Sequence, residues 1–270
     1  MNIVTNDKLL KFMNRLSIKI SDSGYALLDD SWNQQSVCSP FSRLYYIAGG
    51  EGYVSCSGRK LQLLPGNCYL LPAGLRIDYH CSCYLEKLYF HVNLSFPNGL
   101  DIFRHTEEPL RLPVNSRKTH RLLQLYKKNQ LPDALELQTL LTMDLIRFLR
   151  LLPEEMLWEK RYSQPLCTVF QLAQDPVSAA TTVHSLADAL NISESSLNRK
   201  FRREMGISPG AYLDQLLLRE SSRLLLETDL TISEIAEQLQ FGDQFYFSRY
   251  FRQHLGEPPS WYRKRLKSIP

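Results

Sequence analysis

The sequence predicts a two-domain α+β protein with a β-rich N-terminal half and an all-α C-terminal half. The chain has 270 residues, and a domain of ordinary size has about 150. In the first hundred residues, short strand-like segments recur about every ten positions between Gly and Pro turns, which is typical of a sandwich or small barrel. From about residue 115 onward, the apolar residues recur at helical spacing instead.

Six strand-like segments follow one another before residue 100. They are Phe41–Ala48, Tyr53–Cys56, Leu61–Leu64, Cys68–Leu71, Ile77–Tyr79 and Leu85–Asn93. Turns such as Gly49-Gly50-Glu51-Gly52 and Pro72-Ala73-Gly74 separate them, because Gly admits positive φ and Pro fixes φ in a turn. We expect these segments to close into a β-barrel.

Two longer helices are predicted next, over Ser116–Lys128 and Asp133–Leu152. Apolar residues in the second recur in steps of three and four, so this helix must bury one face on the barrel or on another subunit. We expect a helical dimerisation segment here. The predicted domains are residues 1–155 and 169–270, joined by a linker over 156–168.

The C-terminal half is predicted to consist of helices. They are Pro165–Gln174, Val183–Leu190, Glu194–Glu204, Ser208–Glu227, Ile232–Leu239, Gln244–Leu255 and a basic helix after Pro258-Pro259. Ser193 is a predicted N-cap. Two successive pairs share a pattern in which a small residue, Ala187 or Ala236, lets the helices cross closely. This pattern predicts two helix-turn-helix motifs, each with its second helix free to enter a DNA major groove.

Composition excludes several classes of protein. Hydrophobic residues make up 44% and charged residues 22% of the chain, as in ordinary globular domains rather than disordered or collagen-like chains. The sequence lacks the 18-residue apolar run of a membrane-spanning helix and a signal-peptide core at residues 1–10. We therefore expect a cytoplasmic protein with no membrane partner. The six cysteines are scattered, and we interpret Cys81 and Cys83 as buried thiols, with a metal or redox role as the alternative.

Four motifs in the C-terminal half carry a family resemblance. They are S-x-x-x-L-N-R-K-F-R-R-E-M-G-I-S-P (Ser193–Pro209), L-L-L-E-T-D-L-T-I-S-E-I-A (Leu224–Ala236), F-G-D-Q-F-Y-F-S-R-Y-F-R (Phe241–Arg252) and G-E-P-P-S-W-Y-R (Gly256–Arg263). The segment from Leu186 to Arg263 thereby resembles the DNA-binding domain of the AraC/XylS family of transcription regulators. It departs from that family at Leu217, often Arg, and at Gln240, usually Gly, where a left-handed backbone costs another residue about 1 kcal/mol.

The resemblance implies which side chains contact DNA. Base contacts are implied for Ser195, Asn198, Arg199, Gln244, Phe245, Ser248 and Arg249. Arg can bind guanine through two hydrogen bonds, and Asn or Gln can bind adenine in the same way. The net charge is only +4, but basic residues cluster on these helices. We expect Lys200, Arg202, Arg203 and Arg252 to contact phosphate or remain solvated.

The motif Gly66-x(5)-Pro72-x-Gly74 resembles the second motif of the cupin sensor domains that accompany this DNA-binding domain. The N-terminal domain is therefore expected to be a cupin-like β-barrel. Metal-dependent cupins carry a His ligand three residues after the last Gly, where this chain has Ile77, and no H-x-H precedes Gly49. We expect a binding pocket with no metal and no cofactor, and we do not expect an enzyme.

Strand alternation predicts the residues that line this pocket, because side chains two apart share a face. Ile77 marks the inward face, and Tyr79 matches a sugar-contacting tyrosine of arabinose-sensing relatives. The predicted pocket residues are Arg43, Tyr45, Tyr79, Lys87, Tyr89 and His91, with Trp32 as a candidate cap. Polar groups among aromatic rings suit a carbohydrate. The alternative is an ordinary barrel core.

These features together predict a sequence-specific DNA-binding transcription regulator. We expect a homodimeric activator that binds double-stranded DNA, responds to a sugar or other small polar metabolite and acts on RNA polymerase. One alternative is a regulator controlled by a protein partner or by thiol redox state. Two others are a metal-dependent cupin enzyme fused to a DNA-binding domain and a DNA-repair methyl acceptor, which needs a four-cysteine zinc site that no spacing here resembles.

Overall fold

The computed structural model describes residues 16–96, 98–128, 130–153 and 162–267, and its N-terminal half consists of two antiparallel sheets. The strands are β1 (Ser17–Leu28), β2 (Asn33–Cys38), β3 (Ser42–Gly50), β4 (Gly52–Cys56), β5 (Arg59–Leu63), β6 (Asn67–Leu71), β7 (Arg76–His80), β8 (Leu85–Ser95) and β9 (Leu110–Pro113). The larger sheet has the order β1-β8-β3-β6-β9 and the smaller has β2-β7-β4-β5. The sequence did not predict β1, β2 or β9.

Strand β3 is buried on both faces, because the larger sheet lies between the barrel interior and two helices. Arg43, Tyr45 and Ile47 face inward and pair with His91, Tyr89 and Lys87 of β8. The alternate residues Leu44 and Tyr46 belong to the outer core, which packs on the helices. This alternation places the charged side chain of Arg43 and the phenol of Tyr45 inside the barrel, next to Ile47.

The covering helices are α1 (Ser116–Lys128) and α2 (Leu131–Leu149). Helix α2 begins two residues before its predicted start, with Pro132 in its first turn, where a missing amide proton costs no hydrogen bond. Asp144 of α2 is fully buried and accepts a hydrogen bond from the Tyr46 hydroxyl at 2.7 Å. It also pairs with Lys118 of α1 at 2.7 Å. This network fixes both helices on the sheet.

The C-terminal half contains helices α3 (Gln164–Gln174), α4 (Val183–Ala189), α5 (Glu194–Met205), α6 (Pro209–Glu227), α7 (Ile232–Gln238), α8 (Gln244–Leu255) and α9 (Pro259–Lys267). The linker predicted over 156–168 needs correction, because α3 begins inside it and Leu166 is buried in the helical core. Helix α3 has one apolar face, because its buried residues follow one another in steps of three, one and three. They are Leu166, Val169, Phe170 and Ala173. The remainder of that stretch, at 156–161, lies outside the described residues.

The two halves are packed against each other. One cluster of buried apolar residues runs from the barrel interior into the second helix pair, α7 and α8. A second contact comes from the segment 98–101, which follows β8, because Leu100 is buried in the core of the first pair, α4 and α5. The Arg219 guanidinium of α6 donates to the carbonyl of Gly99. Helix α6, which joins the two pairs, therefore contacts the barrel domain directly.

Candidate functional site

The two helix pairs repeat the same capping and turn geometry. Thr182 caps α4 and Thr231 caps α7, each within a capping box. Ser193 caps α5, as predicted, and Asp243 caps α8, with each side chain accepting from an amide three residues on. These caps satisfy amide groups that a helix start leaves free. Each second helix therefore starts at a fixed residue.

Both turns pass through the left-handed region. Asn191 has a φ of 51° and Gln240 a φ of 57°, so the left-handed backbone expected at Gln240 is present. The amide of the next residue then bonds back to the first helix, from Ile192 to Ala187 at 3.0 Å and from Phe241 to Ala236 at 2.8 Å. The Gln240 side chain also accepts a hydrogen bond from the Ser178 hydroxyl at 2.8 Å.

The second helix of each pair presents one polar stripe. Leu197 and Phe201 of α5, and Phe247 and Phe251 of α8, are buried against the first helices. The opposite side carries the predicted DNA contacts. Ser195, Arg199, Arg202, Arg203, Gln244, Phe245, Arg249 and Arg252 are exposed, and Asn198, Lys200 and Ser248 are half-buried.

Both helices carry arginines that are free to bind a partner. Arg203 pairs with Glu204 at 3.4 Å, but Arg199 and Arg249 have no ion pair with any residue that the structure describes. Phe245 is 68% exposed, which is unusual for a side chain with no polar group. An unpaired arginine on each helix and an exposed aromatic ring beside one of them fit contact with DNA bases and phosphates. Trp261 of α9, 73% exposed, was not among the predicted residues.

The barrel interior brings together all six predicted pocket residues. Arg43, Tyr45, Tyr79, Lys87, Tyr89 and His91 are buried and lie on the inner faces of β3, β7 and β8. The Arg43 guanidinium donates to the Tyr79 hydroxyl at 3.0 Å. His91 stacks on Phe41 with ring centroids 4.2 Å apart, and its Nδ1 lies 3.2 Å from a carboxylate oxygen of Asp22. Phe41 and Asp22 were not predicted. Phe41 shares the alternating face of Arg43 and Tyr45 and could have been named from it, whereas Asp22 lies on β1, which the sequence did not predict.

Lys87 is enclosed by aromatic rings. Its ammonium lies 3.9 Å from the ring centroid of Tyr45 and 4.2 Å from that of Trp32. Trp32 is buried, and its ring also packs against that of Tyr79, with the ring centroids 5.1 Å apart. Burial, and then the charge of Arg43, hold the pKa of Lys87 well below its ordinary value. Burial likewise lowers the pKa of His91, so the imidazole is neutral at pH 7.

No metal centre is evident in the part of the chain that the structure describes. Within it, no three His, Cys, Asp or Glu side chains are placed to hold a metal ion. Ile77, at the position of the cupin histidine, is buried in the barrel core. A separate search of these residues found no helix with the length and apolar character needed to cross a membrane.

A cavity of about 330 Å³ lies between the two halves. Its walls are mainly apolar and include Pro40 of the barrel, Leu100 and Leu218 of α6. Arg219 also lines it, and burial lowers the pKa of this side chain. The sequence analysis did not predict this cavity, since it forms only where distant segments pack together.

A barrel with charged and phenolic side chains in its core, joined to paired helix-turn-helix motifs, defines a DNA-binding transcription regulator with a ligand-binding domain. Comparison with known families agrees. Residues 186–265 match the family described as helix-turn-helix domain, and residues 38–143 match the AraC-like ligand binding domain. The chain belongs to the AraC family of transcription regulators.

Individual relatives match along most of the chain. The lactose operon transcription activator of Staphylococcus xylosus is 26% identical over 236 residues, covering 82% of this chain and 83% of the relative. The raffinose operon transcriptional regulatory protein of Pediococcus pentosaceus is 25% identical over 236 residues, which cover 83% of this chain and 84% of the relative. The crystal structure of ToxT from Vibrio cholerae matches 95% of this chain and 100% of its own, with a TM-score of 0.57 and 10% identity. That structure supports the two-domain fold.

Proposed function

We propose that this regulator activates genes of carbohydrate utilisation when a carbohydrate binds inside its barrel. The observation that carries the proposal is the interior itself. Lys87 lies over the ring of Trp32, Arg43 lies over that of Tyr79, and His91 stacks on Phe41. Sugars need hydrogen-bond partners for their hydroxyl groups and flat apolar faces for their C–H groups. The relatives named for lactose and raffinose operons support the class of genes.

The interdomain cavity is a less suitable place for a carbohydrate. Its lining is mainly apolar, so most sugar hydroxyls would lose their bonds to water without replacement, at a cost of about 1–3 kcal/mol each. The barrel interior offers charged and phenolic groups instead. We therefore place the effector in the barrel and regard the interdomain contacts as the route to the DNA-binding half.

The DNA-binding half would contact operator DNA through the polar stripes of α5 and α8. In this proposal Arg199 and Arg249 contact base edges, assisted by Ser195, Asn198 and Gln244. Phe245 and Ser248 add contacts in the second segment, while Lys200, Arg202, Arg203 and Arg252 hold phosphates. We expect this binding to occur in the cytoplasm, where the bound protein contacts RNA polymerase.

We further propose that α2 joins two copies of the chain. Leu131, Leu135, Met143 and Ile146 are exposed on this helix, the first at 74%. Apolar side chains so close together on one helix are typical of a subunit interface. We expect Met143→Lys to give a monomer by sedimentation velocity. Ala134→Lys, exposed on the same helix but on the side away from this apolar stripe, serves as the matched control and should remain dimeric.

The test begins with the full chain and a random DNA library, because the operator is unknown. Selected DNA supplies the binding site, and thermal unfolding in the presence of a panel of neutral and charged sugars supplies the effector. We expect one sugar to raise the unfolding temperature and to change the affinity for the selected DNA. Trp32→Ala should abolish this response and Trp261→Ala should retain it. A protein that selects a DNA site but responds to no sugar would contradict the proposal.

A further inference from the structure

Two buried basic side chains share the barrel interior without a buried carboxylate. Arg43 on β3 is 4% exposed, and Lys87 on β8 is fully buried. No carboxylate of the described residues lies within 4.0 Å of either group. The ammonium of Lys87 has no hydrogen-bond acceptor among these residues. Burying an unpaired charge is costly, so such an arrangement is seldom kept without a function.

The nearby acids are engaged elsewhere. Asp144 pairs with Lys118 on the outer face of the sheet, and Asp101 accepts from the amides of Phe103 and Leu94. Asp22 of β1 lies beside His91, with its side chain 44% exposed. It therefore sits at the rim of the interior. Burial raises its pKa, a hydrogen bond from the Ser23 amide and the charge of Arg43 oppose that rise, and it forms no ion pair with Arg43 or Lys87.

The other groups around the cations cannot supply a negative charge at neutral pH. Burial raises the pKa of the phenols of Tyr45 and Tyr79, and it raises that of Tyr89 to about 12. The rings of Tyr45 and Trp32 offset part of the cost through cation–π contacts. Trp32 adds an indole N–H that also has no acceptor in the described part of the chain. The interior is thus rich in donors and poor in acceptors.

We propose that the effector is an anionic carbohydrate, a sugar with a phosphate or carboxylate group, which Lys87 and Arg43 bind through that group. The inference depends on the proposed function, because it assumes that the barrel is the effector site. A phosphate or carboxylate accepts hydrogen bonds from the ammonium, the guanidinium and the indole together. The sugar ring packs against Trp32 and Tyr79. A neutral sugar offers no opposite charge to Arg43 and none that would favour the protonated form of Lys87.

The experiment measures the affinity of the full-length protein for matched sugars by calorimetry. Each set contains a neutral sugar, its 6-phosphate and its uronic acid, for glucose and for galactose, with inorganic phosphate as the minimal probe. We expect a charged member to bind and its neutral parent to bind at least tenfold more weakly. The phosphate and uronate arms distinguish the two sources of charge. Binding of neutral sugars alone would overturn this inference and leave the proposed function standing.

Variants test whether the two cations hold the charged group. Lys87→Met and Arg43→Gln each remove one charged hydrogen-bond partner, so the charged sugar should bind about 10–100-fold more weakly. Lys60→Met is the matched control, because Lys60 also lies over a tyrosine ring, at 4.0 Å from Tyr53, but on the exposed surface. Circular dichroism and binding to the selected DNA verify folding of each variant. Unchanged affinity in folded Lys87→Met would overturn the inference. Specific DNA binding without binding of any sugar would overturn both this inference and the proposed function.

Discussion

The Tyr212 hydroxyl donates a hydrogen bond to the backbone carbonyl of Asn98 at 2.8 Å, across 114 positions of the sequence. Both residues are buried. Tyr212 lies on α6, which joins the two helix pairs, and Asn98 follows β8, which carries Lys87, Tyr89 and His91. A displacement of β8 on effector binding would therefore reach α6 through this bond and the adjacent Arg219–Gly99 bond.

Tyr212→Phe should weaken the coupling between the effector and DNA binding. The substitution removes the bond to Asn98 and leaves a buried carbonyl without a partner, which costs about 1–2 kcal/mol of unfolding free energy. We expect the effector to change operator affinity less in this variant than in the wild type, as measured by fluorescence anisotropy with labelled DNA.

Tyr126→Phe is the control for that experiment. The Tyr126 hydroxyl also bonds to a backbone carbonyl, that of Ser23 at 3.3 Å, but within the barrel domain. It should lower stability by a similar or smaller amount and leave the response to the effector intact. Equal responses in both variants would show that the Tyr212–Asn98 bond carries no coupling.

Local patterns predicted the parts of the fold that depend on local chemistry. Helices α1 and α8 have the predicted bounds, and the Ser193 cap and the left-handed Gln240 are present. Period-two alternation also placed Lys87, Tyr89 and His91 on one face of β8. These features depend on residues a few positions apart, so the sequence displays them directly.

Features formed by distant segments were not predictable. Strands β1, β2 and β9 lie at sheet edges, where one neighbouring strand and a solvated face allow polar sequences. In β1, Ser17 and Lys19 alternate with Ile18 and Ile20, but a register shift between Ile20 and Asp22 then interrupts the alternation. The contact between Trp32 and Lys87 spans a loop and a strand 55 positions later, and its geometry follows only from the barrel closure.

Gln240 offers a test of backbone strain in the second motif. Gly adopts the left-handed conformation at this position without steric strain, whereas Ala is strained in it. Both substitutions remove the hydrogen bond from Ser178. We therefore expect Gln240→Gly to be more stable than Gln240→Ala by about 1 kcal/mol in urea unfolding. The same pair at Asn191, which has a φ of 51°, should show a similar Gly-over-Ala difference. Equal stabilities at position 240 would exclude strain there.

Lys87 should make the stability of the effector-free protein depend on pH. Its pKa is lowered in the folded state, chiefly by burial, and returns to about 10.5 on unfolding. Between these two values the unfolded chain binds more protons, so the unfolding free energy rises with pH. Tyr45, Tyr79 and Tyr89 have raised pKa values and His91 a lowered one, so they titrate mainly outside this window.

Lys87→Met removes this dependence. We expect the variant to gain stability relative to the wild type at pH 7, with a gain that shrinks as the pH rises to 10, as measured by urea unfolding at each pH. Lys60→Met, on the exposed surface, should show no such trend. A gain that stays constant with pH would indicate that Lys87 titrates normally in the folded protein.

We expect the second helices of the two pairs, α5 and α8, to bind successive turns of DNA. Helix α6 has 19 residues between the two motifs, which at 1.5 Å per residue spans about 28 Å. The helical repeat of B-DNA is about 34 Å. A single chain can therefore place α5 and α8 in adjacent major-groove segments on one face of the duplex.

Arg199→Ala and Arg249→Ala should consequently relax specificity at different segments of the operator. Each substitution removes a long donor side chain from one helix only, so each should cost about 1–3 kcal/mol of binding free energy at one segment. Affinities for operators mutated in one segment at a time, at constant salt, measure this. Arg76→Ala, on the exposed surface of the barrel domain, should leave both segments unchanged. If both DNA-binding variants lost specificity at the same segment, α8 would not be inserted in a groove of its own, and the Gln240 turn that orients it would be the first place to examine.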